Sequence, residues 1–221
     1  MNLSYQLLPV AWVYWLGGAY LTAVIVALLR LPWRRLHATP RLQHLFYGCS
    51  VGLMMLWWMR AGITPGLGVH FLGATAVTLI LGWPLALLST SLAALASAAV
   101  GFEPLALVPV DALLAGVVPV CVSQVVISVV QRRLPANPVV YILGGAFFGG
   151  VVAGLCARGA MVALVLASGT YSAAPILEES QVILLLMALP EGIVNGMVIS
   201  LLVAYRPDWL ESFDVRRYLG E

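Results

Sequence analysis

What most limits how this chain can fold is how seldom a charge interrupts its apolar runs. Eleven basic and nine acidic residues make up only 9% of the 221, while 62% are hydrophobic. Soluble domains are nearer a quarter charged. So few charges cannot cover a water-soluble globule of this size, and disorder needs the opposite composition. The class left is an all-α integral membrane protein. It reads as one transmembrane domain over residues 1–221, with residues 206–221 as a short amphipathic tail along the cytoplasmic interface.

A spanning helix needs about 20 mostly apolar residues. The apolar runs predict seven spans: Leu8–Leu29, Leu45–Met59 with room to extend N-terminally, Gly66–Gly82, Pro84–Val100, Leu107–Val130, Val139–Leu166 and Gln181–Tyr205. The third and fourth are separated at Gly82-Trp83-Pro84 because proline ends a helix just before itself. The sixth is long and glycine-rich and so is expected to tilt or kink, and the seventh is expected to break near Pro190. No basic residue precedes the first run, which is too long for a signal-peptide core, so it reads as a retained span. With seven spans, nine arginines fall on one side (Arg30, Arg34, Arg35, Arg41, Arg132, Arg133, Arg206, Arg216 and Arg217), leaving Arg60 and Arg158 for the other. The positive-inside rule then places the protein in the cell membrane with its N-terminus outside and its C-terminus cytoplasmic.

Every basic residue is arginine. Without lysine there is no P-loop, so ATP-driven work would need another chain to bind the nucleotide. Neither a His-Glu-x-x-His helix nor a Gly-x-Ser-x-Gly elbow is present, and no enzyme is read. Membrane lipid surrounds the chain, and no nucleic-acid partner is expected. Cys49, Cys121 and Cys156 are far apart in apolar runs and read as small buried hydrophobes. The cluster Met54-Met55-Leu56-Trp57-Trp58-Met59 fits a packed or lipid-facing helix with an aromatic belt better than a thioether metal site. His37 and His44 lie in the basic loop and read as solvated.

Ionisable groups inside a bilayer are costly and so are functional candidates. His70 lies near the outer end of the third span, Asp111 near the outer end of the fifth, and Glu191 within the seventh with Asn195 one turn later on the same face. In the derived orientation they share the outer half of the membrane with the N-terminal amine. Imidazole and amine nitrogens suit nickel, cobalt, copper or zinc, and carboxylates supply compensating charge. Glycines 62, 66 and 68 would allow close backbone approach or a re-entrant turn. Each residue also has a structural reading: His70 as an interfacial donor, Asp111 as the N-cap of the fifth helix, Glu191 as partner for a backbone group exposed by Pro190.

Three segments carry a resemblance. Met1-Asn2-Leu3-Ser4 with Leu7-Leu8-Pro9, Gly68-Val69-His70-Phe71-Leu72-Gly73, and Pro190-Glu191-Gly192-Ile193-Val194-Asn195-Gly196 with Arg206-Pro207 resemble the CbiM/NikM family, in order and spacing over nearly the whole chain. These are substrate-specific membrane components of energy-coupling-factor transporters for cobalt and nickel. The resemblance implies metal ligands at Met1, through its free amine, at residue 2, and at His70, with Asp111, Glu191 and Asn195 near enough to orient or neutralise the site. Residue 2 departs from the family, being Asn2 where histidine is usual. The resemblance also implies separate ATPase subunits and a coupling transmembrane subunit as partners, and no permanently bound cofactor, the divalent Co2+ or Ni2+ being cargo. The alternatives are a carrier of the same fold for another small substrate, or a membrane assembly protein that transports nothing.

Overall fold

The computed structural model describes residues 8–59, 61–64, 67–169 and 173–220, with side chains described outside 61–69 and 173–185. Met1, Asn2 and Arg60 therefore lie outside the described residues. Prolines punctuate the helices, mostly at a start or just past an end, where a missing N–H costs nothing. Helix α1 (Val10–Arg30) follows Pro9 and stops short of Pro32. A short α2 (Trp33–Ala38) leads to α3 (Pro40–Trp58), which begins earlier than the apolar run alone suggests. A small antiparallel hairpin follows, β1 (Ala61–Thr64) with β2 (Leu67–Val69).

The expected third span is corrected here. Residues 67–69 are strand and 70–73 are non-helical, and helix begins only at α4 (Ala74–Leu81). Eight residues rise about 12 Å, less than half of a hydrocarbon core of about 30 Å. All eight are buried, so α4 is a half-length helix enclosed by its neighbours. Gly82, at φ 77°, turns the chain directly into α5 (Trp83–Ala99), as the Gly-Trp-Pro break predicts.

Three long helices complete the bundle: α6 (Leu105–Arg133), α7 (Pro138–Ala167) and α8 (Ala173–Tyr205). In α6 a wide π turn at Leu113–Val117 lies just before Pro119, which cannot donate to the carbonyl four residues back. A second π stretch in α7, Tyr141–Phe148, holds Gly144 and Gly145 against α6, where a Cβ on Gly145 would lie 2.8 Å from Ile127 Cδ1. The expected break at Pro190 is absent, α8 running through it as one 33-residue helix. Neighbouring helices can satisfy the carbonyl that an intramembrane proline releases. The result is an all-α polytopic bundle in which, among the described residues, α1, α6, α7 and the Leu186–Tyr205 part of α8 are long and apolar enough to cross a membrane, α3 and α5 run to 19 and 17 residues, and α4 is a half-length helix. Its outer face carries Tyr14, Trp15, Leu29, Met55 and Leu201, each more than half exposed, as suits lipid rather than water.

The tail does not trail away from the bundle. After a 3-10 turn at Pro207–Trp209 it folds under α4, and the amides of Glu211 and Ser212 donate to the carbonyls of Ile80 and Leu79 at 3.1 and 3.2 Å. It ends in α9 (Val215–Leu219), with Leu210, Phe213 and Tyr218 buried. Arg35 meets Glu211 at 2.6 Å, Arg41 pairs with Asp208, and Arg217 donates to the Gln131 carbonyl. The loops after α1 and α6 and the tail thus share one end of the molecule. Hydrogen bonding to Glu211 and its charge push the Arg35 guanidinium further up, so it stays charged.

One smaller expectation is also corrected. Cys121 and Cys156 are exposed on the outer face of their helices rather than buried, whereas Cys49 is part-buried and packs against the core; all three are free. On α5 the small residues Ala93 and Ala94 are fully buried inside the bundle, whereas Leu92 and Leu95 face outward.

Candidate functional site

His70-Phe71-Leu72-Gly73 is non-helical backbone inside a membrane bundle. Such backbone survives only where its polar groups find protein partners. Four side chains supply them. The Glu191 carboxylate accepts from Leu72 N at 2.8 Å through Oε2 and from Gly73 N at 2.9 Å through Oε1. Asn195, one turn later on α8, accepts from Ala76 N at 2.7 Å and donates to Glu191 Oε1 at 2.9 Å. Trp57 Nε1 donates to the Leu72 carbonyl at 3.0 Å, and Arg158 Nη2 donates to the His70 carbonyl at 3.4 Å. Glu191 and Asn195 therefore cap α4 from another helix, placing negative charge at the positive end of its dipole. Gly73 makes the entry possible: its φ is +62°, and a Cβ there would lie 2.8 Å from Leu56 Cδ2.

The His70 ring is buried and packs on Trp57 with centroids 4.8 Å apart. Its Nδ1 lies 3.0 Å from the Phe71 carbonyl oxygen. A carbonyl can only accept, so Nδ1 carries the proton in this bond, and in the neutral form of the ring the lone pair is then at Nε2. Metal-binding histidines are commonly oriented in this way.

Close helix contact brings Glu191 to this segment. Gly150 and Gly154 on α7 face α8, and a Cβ on Gly150 would lie 3.1 Å from Asn195 Nδ2. In return Gly192 and Gly196 on α8 face Phe147 of α7, where a Gly192 Cβ would come within 2.8 Å of the Phe147 carbonyl oxygen. Small residues four apart on both partners let membrane helices approach to backbone contact.

The model of a family known as CbiM, the cobalt uptake substrate-specific transmembrane region, matches residues 2–209. The chain belongs to the CbiM family. CbiM is a transporter membrane component and not an enzyme. Two solved structures share the CbiM fold seen here. One, described as a truncated transition metal transporter, is 16% identical with a TM-score of 0.71, covering 93% of this chain and 99% of its own. The other, described as a transition metal transporter, is 16% identical with a TM-score of 0.70, covering 92% and 93%. At that identity they speak to the fold alone. No curated protein matches the sequence.

Of the six residues singled out from sequence in this CbiM chain, His70, Glu191 and Asn195 come together around residues 70–76. Met1 and Asn2 lie outside the described residues. Asp111 is buried in the second turn of α6 and is not the N-cap of that helix, which starts at Leu105. Glu191 is not the partner of a group exposed by Pro190; its acceptors reach the amides before α4 instead. Among the described residues no three His, Cys, Asp or Glu side chains form a metal cage. Sequence reasoning missed Trp57 and Arg158. Arg158 is not an outer-loop charge: it is 5% exposed in the interior of α7. Its place inside the apolar run Val139–Leu166 was the signal.

Proposed function

We propose that this CbiM-family chain is the substrate-binding membrane component of an uptake system for a divalent transition-metal ion of the cobalt or nickel kind. The carrying observation is the setting of His70: a buried imidazole held by its Nδ1–H on the Phe71 carbonyl, with its lone pair at Nε2, on a backbone segment pinned by Trp57, Arg158 and Glu191. A preset imidazole of this kind suits a borderline-soft cation. In this reading the Met1 amine and Asn2 complete the set of ligands, and Asp111 adds compensating charge from α6. The ion enters from the outer side, the N-terminus being outside and the arginine-rich end cytoplasmic. Separate ATPase subunits, joined through a coupling membrane subunit, supply the energy, in keeping with a chain that lacks a P-loop.

A metal-by-metal thermal-shift series on purified protein tests this reading. Cobalt or nickel should raise the midpoint for the native chain, and His70→Ala should abolish the rise, whereas His37→Ala and His44→Ala should not. Adding one residue before Met1 should be nearly as damaging as His70→Ala, because it moves the amine. Asn2→His should strengthen the response by adding an imidazole nitrogen. Stabilisation by no transition metal, with uptake of some other small solute intact, would turn the reading to a different cargo. Loss of neither uptake nor growth on changing His70 and Asp111 would point to an assembly role.

A further inference from the structure

Arg158 is a cation buried within the bundle, at a depth where charges are kept only for use. Its Nη2 reaches the His70 carbonyl at 3.4 Å, but Nε and Nη1 have no hydrogen-bond partner among the described residues. Buried N–H donors are rarely left unmade, because each one forfeits its water. An opposite charge, Glu191, acts on it from α8. Nη1 and the Glu191 Cγ share the space over Gly154, lying 3.0 and 3.3 Å from where a Cβ would stand. Yet the Glu191 oxygens are engaged elsewhere, on Leu72 N, Gly73 N and Asn195. One carboxylate therefore faces two sets of donors and serves one of them.

We infer that Arg158 is a positioning residue for the His70 segment: its unused N–H groups are the alternative partner of Glu191, so that the carboxylate latches Leu72 and Gly73 in the state seen here and frees them when it turns to the guanidinium. The latch acts at both ends of one segment, since Arg158 also holds the His70 carbonyl. In the released state the amides of residues 72 and 73 lose their acceptor, and the backbone carrying His70 can move. The buried charge pair survives in both states, which keeps the exchange from leaving a lone charge in the membrane. The inference about the segment stands on geometry; its consequence for cargo rests on the metal-uptake reading above.

Amide hydrogen exchange of the metal-free full chain in lipid nanodiscs tests the latch, read at the peptide covering Leu72 and Gly73. Glu191→Gln should speed exchange there. Arg158→Gln, which removes the rival partner, should slow it by about tenfold, an effect expected when a populated open state is lost. Arg158→Lys should restore the native rate. Should Arg158→Gln fold poorly, Gly154→Ala places a carbon against both Nη1 and Cγ and should slow exchange in the same direction. Unchanged or faster exchange in Arg158→Gln would overturn the inference, reducing Arg158 to a fixed clamp on the His70 carbonyl. A second arm follows release of preloaded cobalt, which should be slower from Arg158→Gln than from the native chain. If the native chain binds no metal, the uptake reading fails while the exchange arm still decides the latch.

Discussion

At the scale of single residues, the structure turns on a few buried polar groups whose partners are remote in sequence. Glu191 and Asn195 were legible as a pair, being a polar couple one helical turn apart within an apolar run. Their partners, 119 residues earlier, were not, because nothing local marks which backbone amides a carboxylate will meet. Glu191→Ala would leave Leu72 N and Gly73 N unsatisfied and Arg158 uncompensated. Hydrogen bonds to charged groups contribute about 1.5–3 kcal/mol each, so the expected loss exceeds that of a single neutral bond, with Glu191→Gln in between. Thermal unfolding of the purified variants measures the order. Gly73→Ala separates backbone strain from collision. Gly73 and Gly101 both have positive φ, at 62° and 83°, but only Gly73 would press a Cβ onto Leu56, while Gly101 opens onto empty space. Positive φ costs a non-glycine residue about 1 kcal/mol or more, and the clash adds to it. Gly73→Ala should therefore lower the unfolding midpoint clearly more than Gly101→Ala; equal losses would mean that Leu56 yields freely.

At the scale of elements, hydropathy found the long helices and their order but misread the segment that matters most. Residues 66–82 are apolar enough to pass for a span, and an apolar run does not reveal whether its backbone is extended or helical. The clue was the glycine density before His70, which suits a hairpin and a left-handed turn better than two turns of helix. Pro190 misled in the other direction, because proline within a membrane helix need not break it. Arg158 shows how a counting rule can hide a residue: counted with Arg60 on the side opposite the other nine, it weighed against the orientation, although it sits inside the very span drawn for the sixth helix. The α7 and α8 contact gives a test at this scale. Glycine to alanine in a helix is favourable by about 0.5–1 kcal/mol where there is room. Gly18 and Gly52 have nothing within 4 Å of a new Cβ, so alanine there should be neutral or mildly stabilising. At Gly192 the same methyl would lie 2.6 Å from Val151 Cγ2 and 2.8 Å from the Phe147 carbonyl. Overpacking of this kind costs about 1–3 kcal/mol, and the backbone atom cannot rotate away. Gly192→Ala should therefore destabilise the protein and, by pushing α8 back, loosen the Glu191 cap; thermal midpoints of the three variants decide it.

At the scale of the whole molecule, the half-helix α4 is closed at both ends by distant parts of the chain, above by α8 and below by the tail. Ser212 is the centre of the lower closure. Its hydroxyl donates to the Leu79 carbonyl at 2.9 Å, so the 2.7 Å contact with Tyr141 must be donated by the phenol. Ser212→Ala should cost about 1–2 kcal/mol, a lost donor plus a stranded buried hydroxyl, and would be read as a lower unfolding midpoint. The same tail joins the loops after α1 and α6 through Arg35 with Glu211, Arg41 with Asp208 and Arg217 with the Gln131 carbonyl. Exposed ion pairs of this sort add little stability. What they fix is that three arginine-bearing segments lie together, so their sidedness must be common. With Arg158 moved to the interior, the arginines outside the spans divide nine to one, Arg60 being the exception. A cysteine-free background, with Cys49, Cys121 and Cys156 replaced by alanine, allows single cysteines at Arg34, Arg132 and Arg216. All three should resist an impermeant maleimide added to intact cells and react in inverted vesicles. Labelling of all three from outside would reverse the orientation while leaving the shared end intact. Labelling of one without the others would contradict the bundle itself, because no arrangement that keeps the tail against both loops can put them on opposite sides of a membrane.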